Sequence, residues 1–188
     1  MPARGAALVL HPHPLGGGTM HNKVVFRAAG ALNDAGLAAL RINFRGVGQS
    51  TGTHDEGRGE QEDARVALDY LSERYPGLSL TLCGFSFGAR VGLEVGIADN
   101  RVVNLISIGT PVDKYDFSFL AAARKPVLFV HGDRDEFGAL ESLREVIAQI
   151  APDVDVQLVV IEGADHFFAD HLEALKQAIT RWSAISIQ

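Results

Sequence analysis

Cysteine occurs once in the 188 residues, as Cys83, so no intrachain disulfide can form and no thiolate metal cluster can be assembled. No apolar run approaches the roughly 18 residues that a membrane-spanning helix needs. The opening MPARGAALVLHPHP has one arginine and an apolar stretch too short for a secretory signal core. Clustered basic residues are also missing: 17 Lys and Arg face 23 Asp and Glu, a net charge of −6, which argues against a nucleic-acid partner. Internal repeats, low-complexity tracts and a Pro- or Ser-rich linker are absent as well. These gaps leave the expectation of one soluble cytoplasmic domain, residues 1–188, with no nucleic-acid or membrane partner, as a monomer or homodimer.

Hydrophobic residues make up 47% and charged residues 21%, the balance of an ordinary globule. Short apolar runs rich in Leu and β-branched residues predict strands at 6–12, 37–44, 78–84, 102–109, 126–133 and 154–163. Amphipathic stretches predict helices near 20–35, 60–75, 87–98, 139–151 and 166–182. Strict β-α alternation with near-continuous apolar strands predicts an α/β three-layer sandwich. Its sheet is mostly parallel, of about six strands, with helices on both faces. Segment 112–125 links two strands with at most a short helix, so no lid domain is expected.

In an open parallel sheet, ligands bind beyond the carboxyl ends of the strands, and three suggestive residues fall there. Ser86 sits in GFSFG, between a predicted strand and a predicted helix. G-x-S-x-G alone is weak evidence, but that context is the one a strained, exposed nucleophile requires. A serine hydroxyl needs a base, and the base needs a carboxylate to orient it. His166, after the last strand, is the candidate base, and His171 lies further along as a solvated residue. HGDRDEFG offers Asp133, Asp135 and Glu136; Asp135 reaches further across the strand ends and is preferred, while Asp133 is read as tying up turn N–H groups.

The order Ser, Asp, His and the motifs GFSFG, HGDRDEFG, GADHFF and NFRGVGQSTG resemble those of the α/β-hydrolase superfamily over nearly the whole chain. HPHPLGGGTMHNK resembles its small, lidless, dienelactone-hydrolase-like members. The resemblance implies an α/β-hydrolase core and hydrolysis through an acyl-enzyme. Ser86 would be the nucleophile, His166 the base and Asp135 the orienting acid. The substrate would be a small acyl compound, and no cofactor or metal would be needed. The chain departs from dienelactone hydrolases proper, which use cysteine where Ser86 stands, and it is expected to be without the one or two further strands that family members usually carry ahead of the oxyanion loop. One sheet edge is therefore expected to be bare.

For an oxyanion hole, the first expected donor is the Phe87 N–H at the helix start. The second should come from HPHPLGGG, where Pro12 and Pro14 have no N–H. His13 is preferred, with Leu15 as the alternative and Gly16 to Gly18 as outsiders. A metal reading of His11, His13 and His21 lacks a carboxylate or cysteine at matching spacing. Arg41, Arg45 and Lys114 could meet an anionic substrate but read better as solvated surface charge. The competing functions are thioester hydrolysis or acyl transfer with the same residues, and a non-catalytic small-molecule-binding protein on the same fold.

Overall fold

The computed structural model describes residues 2–186. Gly5–Leu10 forms the first strand, β1, buried along its whole length. Ala6, Leu8 and Leu10 pack into one apolar cluster and Ala7 and Val9 into another, on the opposite face. A strand covered on both faces has no solvent side, which is why its sequence shows no polar alternation. The same division holds further along the chain, with Val127 and Phe129 on one face and Leu128 and Val130 on the other.

The remaining strands are β2 (Leu37–Arg41), β3 (Leu80–Phe85), β4 (Val102–Ile108), β5 (Val127–Gly132) and β6 (Val156–Ile161). The sheet order is β2-β1-β3-β4-β5-β6, and every neighbouring pair is parallel. The helices are α1 (Lys23–Asp34), α2 (Arg58–Arg74), α3 (Phe87–Ala98), α4 (Leu140–Ile147) and α5 (Leu172–Ser186). Helices α1 and α5 cover one face of the sheet; α2, α3 and α4 supply buried residues to the other. Between β4 and β5 there is only a short 3-10 turn, Ser118–Ala122, so nothing there roofs the strand ends.

Several boundaries differ from the expectation by a few residues, two of them for a clear local reason. The second strand stops at Arg41 rather than 44, because the Phe44 N–H leaves the sheet to donate to His11 Nε2 at 3.0 Å. The last helix begins at Leu172, not 166. The Asp165 carboxylate accepts the N–H groups of Phe167 (3.1 Å) and Ala169 (3.3 Å), and Phe168 sits at φ 52°. An aspartate that captures the following N–H groups competes with helix formation, and His166 consequently sits on a loop.

The edge strand β2 pairs only with β1 among the described residues. Beside it runs a groove of about 670 Å³ lined by Leu40, Ile42, Val66 and Tyr70 among others. No helix among the described residues is long and apolar enough to cross a membrane.

Candidate active site

Ser86 is the single residue between β3 and α3, held at φ 57° and ψ −120°. Non-glycine residues in sparsely populated backbone conformations cost about 1–3 kcal/mol. Here the surroundings hold the backbone on both sides. The Ser86 N–H donates to the Ile108 carbonyl (2.9 Å), and its own carbonyl accepts the Ala89 N–H (2.8 Å). The turn directs Oγ to 2.8 Å from His166 Nε2.

On the other side of the ring, His166 Nδ1 lies 2.9 and 2.8 Å from the two carboxylate oxygens of Asp135. A carboxylate can only accept, so Nδ1 carries the proton and Nε2 is left to accept from the Ser86 hydroxyl. Asp135 is anchored in turn: its Oδ1 accepts the N–H groups of Phe137 (2.8 Å) and Gly138 (3.2 Å). Glu136 accepts the His166 N–H (3.2 Å) and ties the two loops together. The rings of Phe137, Phe85 and Phe167 lie 4.4, 5.2 and 5.2 Å from the imidazole and restrict its tilt.

The structure thus brings Ser86, His166 and Asp135 together and leaves Asp133 outside. Asp133 caps a neighbouring turn, accepting the Gly163 N–H at 2.6 Å. His171 lies against Gly163 rather than the serine. Cys83 is fully buried in the strand, where burial pushes its thiol pKa up, so it stays protonated and inert.

At the head of the loop after β1, His11 is a buried clasp. Its Nδ1 donates to the Pro12 carbonyl (2.6 Å), which leaves Nε2 to accept from Phe44. His13 and Phe87 have backbone N–H groups that meet no acceptor among the described residues, whereas the Leu15 N–H donates to His13 Nδ1 at 3.2 Å. No group of three or more His, Cys, Asp or Glu side chains among the described residues could hold a metal ion. Arg41 donates to the Met20 carbonyl and Arg45 grips Asp63, so both are spent on structure; Lys114 lies over the Phe137 ring.

Several residues here were not singled out by sequence. His131, fully buried, donates from Nε2 to the Gly138 carbonyl (2.7 Å), and its Nδ1 has no partner. It holds the loop whose N–H groups bind Asp135. His54 Nδ1 sits 2.8 Å from the buried carboxylate of Glu60, which also accepts the N–H groups of Asp55 and Gly57. Burial is the largest influence on Glu60 and raises its pKa, but these hydrogen bonds and His54 together outweigh it and leave the pKa below its usual value. Glu60 is the third residue of its helix, the position of a capping-box acid, and that spacing was the signal available in the sequence.

Burial holds the pKa values of both His11 and His131 below the usual 6.5. The unfolded chain therefore takes up protons from about pH 6.5 downward while the folded protein does not, and stability falls with pH in that range. Each group contributes a slope of at most about 1.4 kcal/mol per pH unit. Urea melts at pH 7.5, 6.5 and 5.5 should show this decline, and His131→Gln should flatten it. A slope unchanged by that substitution would show that His131 is not the group responsible.

The chain matches the family model for an alpha/beta hydrolase domain over residues 5–184. It is 40% identical over 189 residues to the uncharacterized protein RP471 of Rickettsia prowazekii (strain Madrid E), spanning 97% of this chain and 79% of that one. The structure is similar to an alpha-beta serine hydrolase homologue from Coxiella burnetii, with a TM-score of 0.91 and 39% identity over 96% of this chain and 86% of that one. It is also similar to XC6422 from Xanthomonas campestris, an a/b serine hydrolase without lid. There the TM-score is 0.88 and the identity 36%, over 96% and 81% of the two chains.

Proposed function

The chain belongs to the alpha/beta hydrolase domain family, and on that premise we propose that it is a serine hydrolase cleaving carboxylic esters or related acyl compounds. Residues 1–188 would act as one domain, with Ser86, His166 and Asp135 as the catalytic residues. The observation that carries this reading is the continuous hydrogen-bonded line from Ser86 Oγ through the His166 ring to the Asp135 carboxylate, at 2.8 Å on each side.

The geometry sets the order of events. His166 Nε2 takes the hydroxyl proton as Oγ bonds to the substrate carbonyl carbon, and the carbonyl electron pair moves onto oxygen. The ionised Asp135 stabilises the imidazolium that results. The N–H groups of Phe87 and His13, which have no other acceptor among the described residues, receive the oxyanion. Each such donor is typically worth about 10²–10³-fold in rate. Collapse of the tetrahedral species breaks the bond to the leaving oxygen, which takes the proton from His166. A water molecule then attacks the acyl-enzyme, and His166 serves again as base.

Two clefts include residues that adjoin the site, Phe87 next to Ser86 and Phe167 next to His166. One of about 480 Å³ is lined by His13, His54, Phe87 and Tyr115 among others; another of about 420 Å³ is lined by Thr19, Lys23 and Phe167 among others. A cytoplasmic setting fits the single free thiol, Cys83.

Reaction with a fluorophosphonate, read by intact mass and peptide mapping, tests the proposal without knowledge of the substrate. Rapid addition of one phosphonyl group at Ser86 is expected. A folded protein that stays unlabelled would overturn the reading and put small-molecule binding on the same fold in its place.

A further inference from the structure

Arg90 breaks a local rule. It lies in the first turn of α3, where the helix dipole disfavours a cation, and its partner Glu94 follows it, the weaker orientation for such a pair. Several other arginines are held by two or more hydrogen bonds to the protein. Arg45 makes three bonds to Asp63, Arg101 grips Asp69 and Asp99, and Arg4 reaches two carbonyls. Arg90 has one ionic contact among the described residues, from Nη2 to Glu94 at 3.1 Å. Glu94 is itself shared with Gln61 (2.5 Å), and the Arg90 Nε is buried without any partner.

The surroundings hold this guanidinium in place without consuming its donors. It lies over the Tyr115 ring at 5.4 Å from the centroid. With His13, His54, Phe87 and Tyr115 it lines the 480 Å³ cleft that begins at the residue following Ser86; Glu56 and Leu15 are also on its wall. The His13 and His54 rings are 4.8 Å apart, and each is within 5.5 Å of the Phe87 ring. The cleft therefore combines apolar and aromatic walls with one fixed, under-used guanidinium, in a protein whose net charge is −6. An arginine fork in a partly desolvated cleft is matched by a planar carboxylate.

We propose that this cleft binds an ionised carboxylate carried by the ester substrate, with Arg90 as the specificity-determining residue. The proposal rests on the reading of Ser86 as nucleophile. The carboxylate can belong to the acyl portion, as in a dicarboxylic acid monoester, or to the leaving portion.

Two pairs of chromogenic or ultraviolet-active esters separate these sources. 4-Nitrophenyl hemiglutarate against 4-nitrophenyl pentanoate places the charge on the acyl side. 4-Acetoxybenzoate against its methyl ester places it on the leaving side. In one pair the ratio of kcat/KM, anionic over neutral, should fall about 10–100-fold in Arg90→Gln, the range expected for charge-assisted hydrogen bonds, with the loss in KM. Arg90→Lys should restore part of the ratio. Glu94→Gln, which frees the guanidinium of its competitor, should raise it. A ratio unaffected by Arg90→Gln in both pairs would overturn the assignment, as would a drop in Glu94→Gln. Fluorophosphonate labelling separates the two readings. Labelled protein without charge preference overturns the Arg90 assignment alone, whereas unlabelled protein overturns the nucleophile reading and this one with it.

Discussion

Ser86→Ala and His166→Ala should each lower kcat by about 10⁴- to 10⁶-fold, and the double variant should be no worse than either single one. Residues that act as one chemical unit show such non-additivity, because removing any member already abolishes the covalent route. Asp135→Asn should lose about 10⁴-fold. Its effect works through His166: an amide at this position can donate to Nδ1, which would move the ring proton to Nε2 and leave no acceptor for the Ser86 hydroxyl. Asp133→Asn is the control, since its carboxylate caps the Gly163 N–H on the rim; less than about a tenfold change is expected for a residue outside the line of proton transfer. Steady-state rates on a neutral aryl ester, with melting curves to show that each variant is folded, provide the measurement. A larger loss for Asp133→Asn than for Asp135→Asn would reverse the roles.

The second large effect is on stability and comes from the elbow itself. A Cβ at Gly84 would lie 2.1 Å from the Gly88 carbonyl oxygen, and one at Gly88 would lie 2.5 Å from the His11 carbonyl oxygen. These obstacles are backbone atoms, so no side-chain rotation relieves them. Strand β3, helix α3 and the end of β1 converge here because the chain must reverse within one residue to present Ser86. Gly84→Ala should therefore destabilise the fold by about 3 kcal/mol or more, lowering Tm by about 6–12 °C for a chain of this size. The fluorophosphonate reaction should be lost in parallel. Gly30→Ala, on α1 with nothing within 4 Å of the added carbon, should be neutral or stabilising by up to about 1 kcal/mol. Equal melting temperatures for Gly84→Ala and the parent would show that the elbow has room the backbone geometry denies.

Much of the architecture follows from local rules. Runs such as 126–133 are apolar at every position because both faces of the strand are covered, and that pattern is readable without coordinates. The need for Gly84 is local in the same way, because its obstacle, the Gly88 carbonyl, lies within five residues of chain, whereas Gly88 is required by the distant end of β1 at Leu10 and His11. Asp135 and His166 could be selected because each follows a strand, and parallel strands deliver their carboxyl ends to one edge of the sheet.

What the tertiary structure decided are the contacts whose partners lie far apart in the chain. Asp133 and Asp135 are two residues apart and chemically alike; only the packing of β5 against β6 sends one to the Gly163 N–H and the other to His166. Likewise, Leu15 stays an alternative to the preferred His13 until the folded loop commits the Leu15 N–H to His13 Nδ1. The cleft of His13, His54, Arg90 and Tyr115 draws on four separate segments. It exists because β1 enters the sheet between β2 and β3, out of sequence order, and sets its loop beside the elbow. Periodicity and turn chemistry act over a few residues and carry no record of strand order, so the turn that presents Ser86 could be read from the chain and the pocket beside it could not.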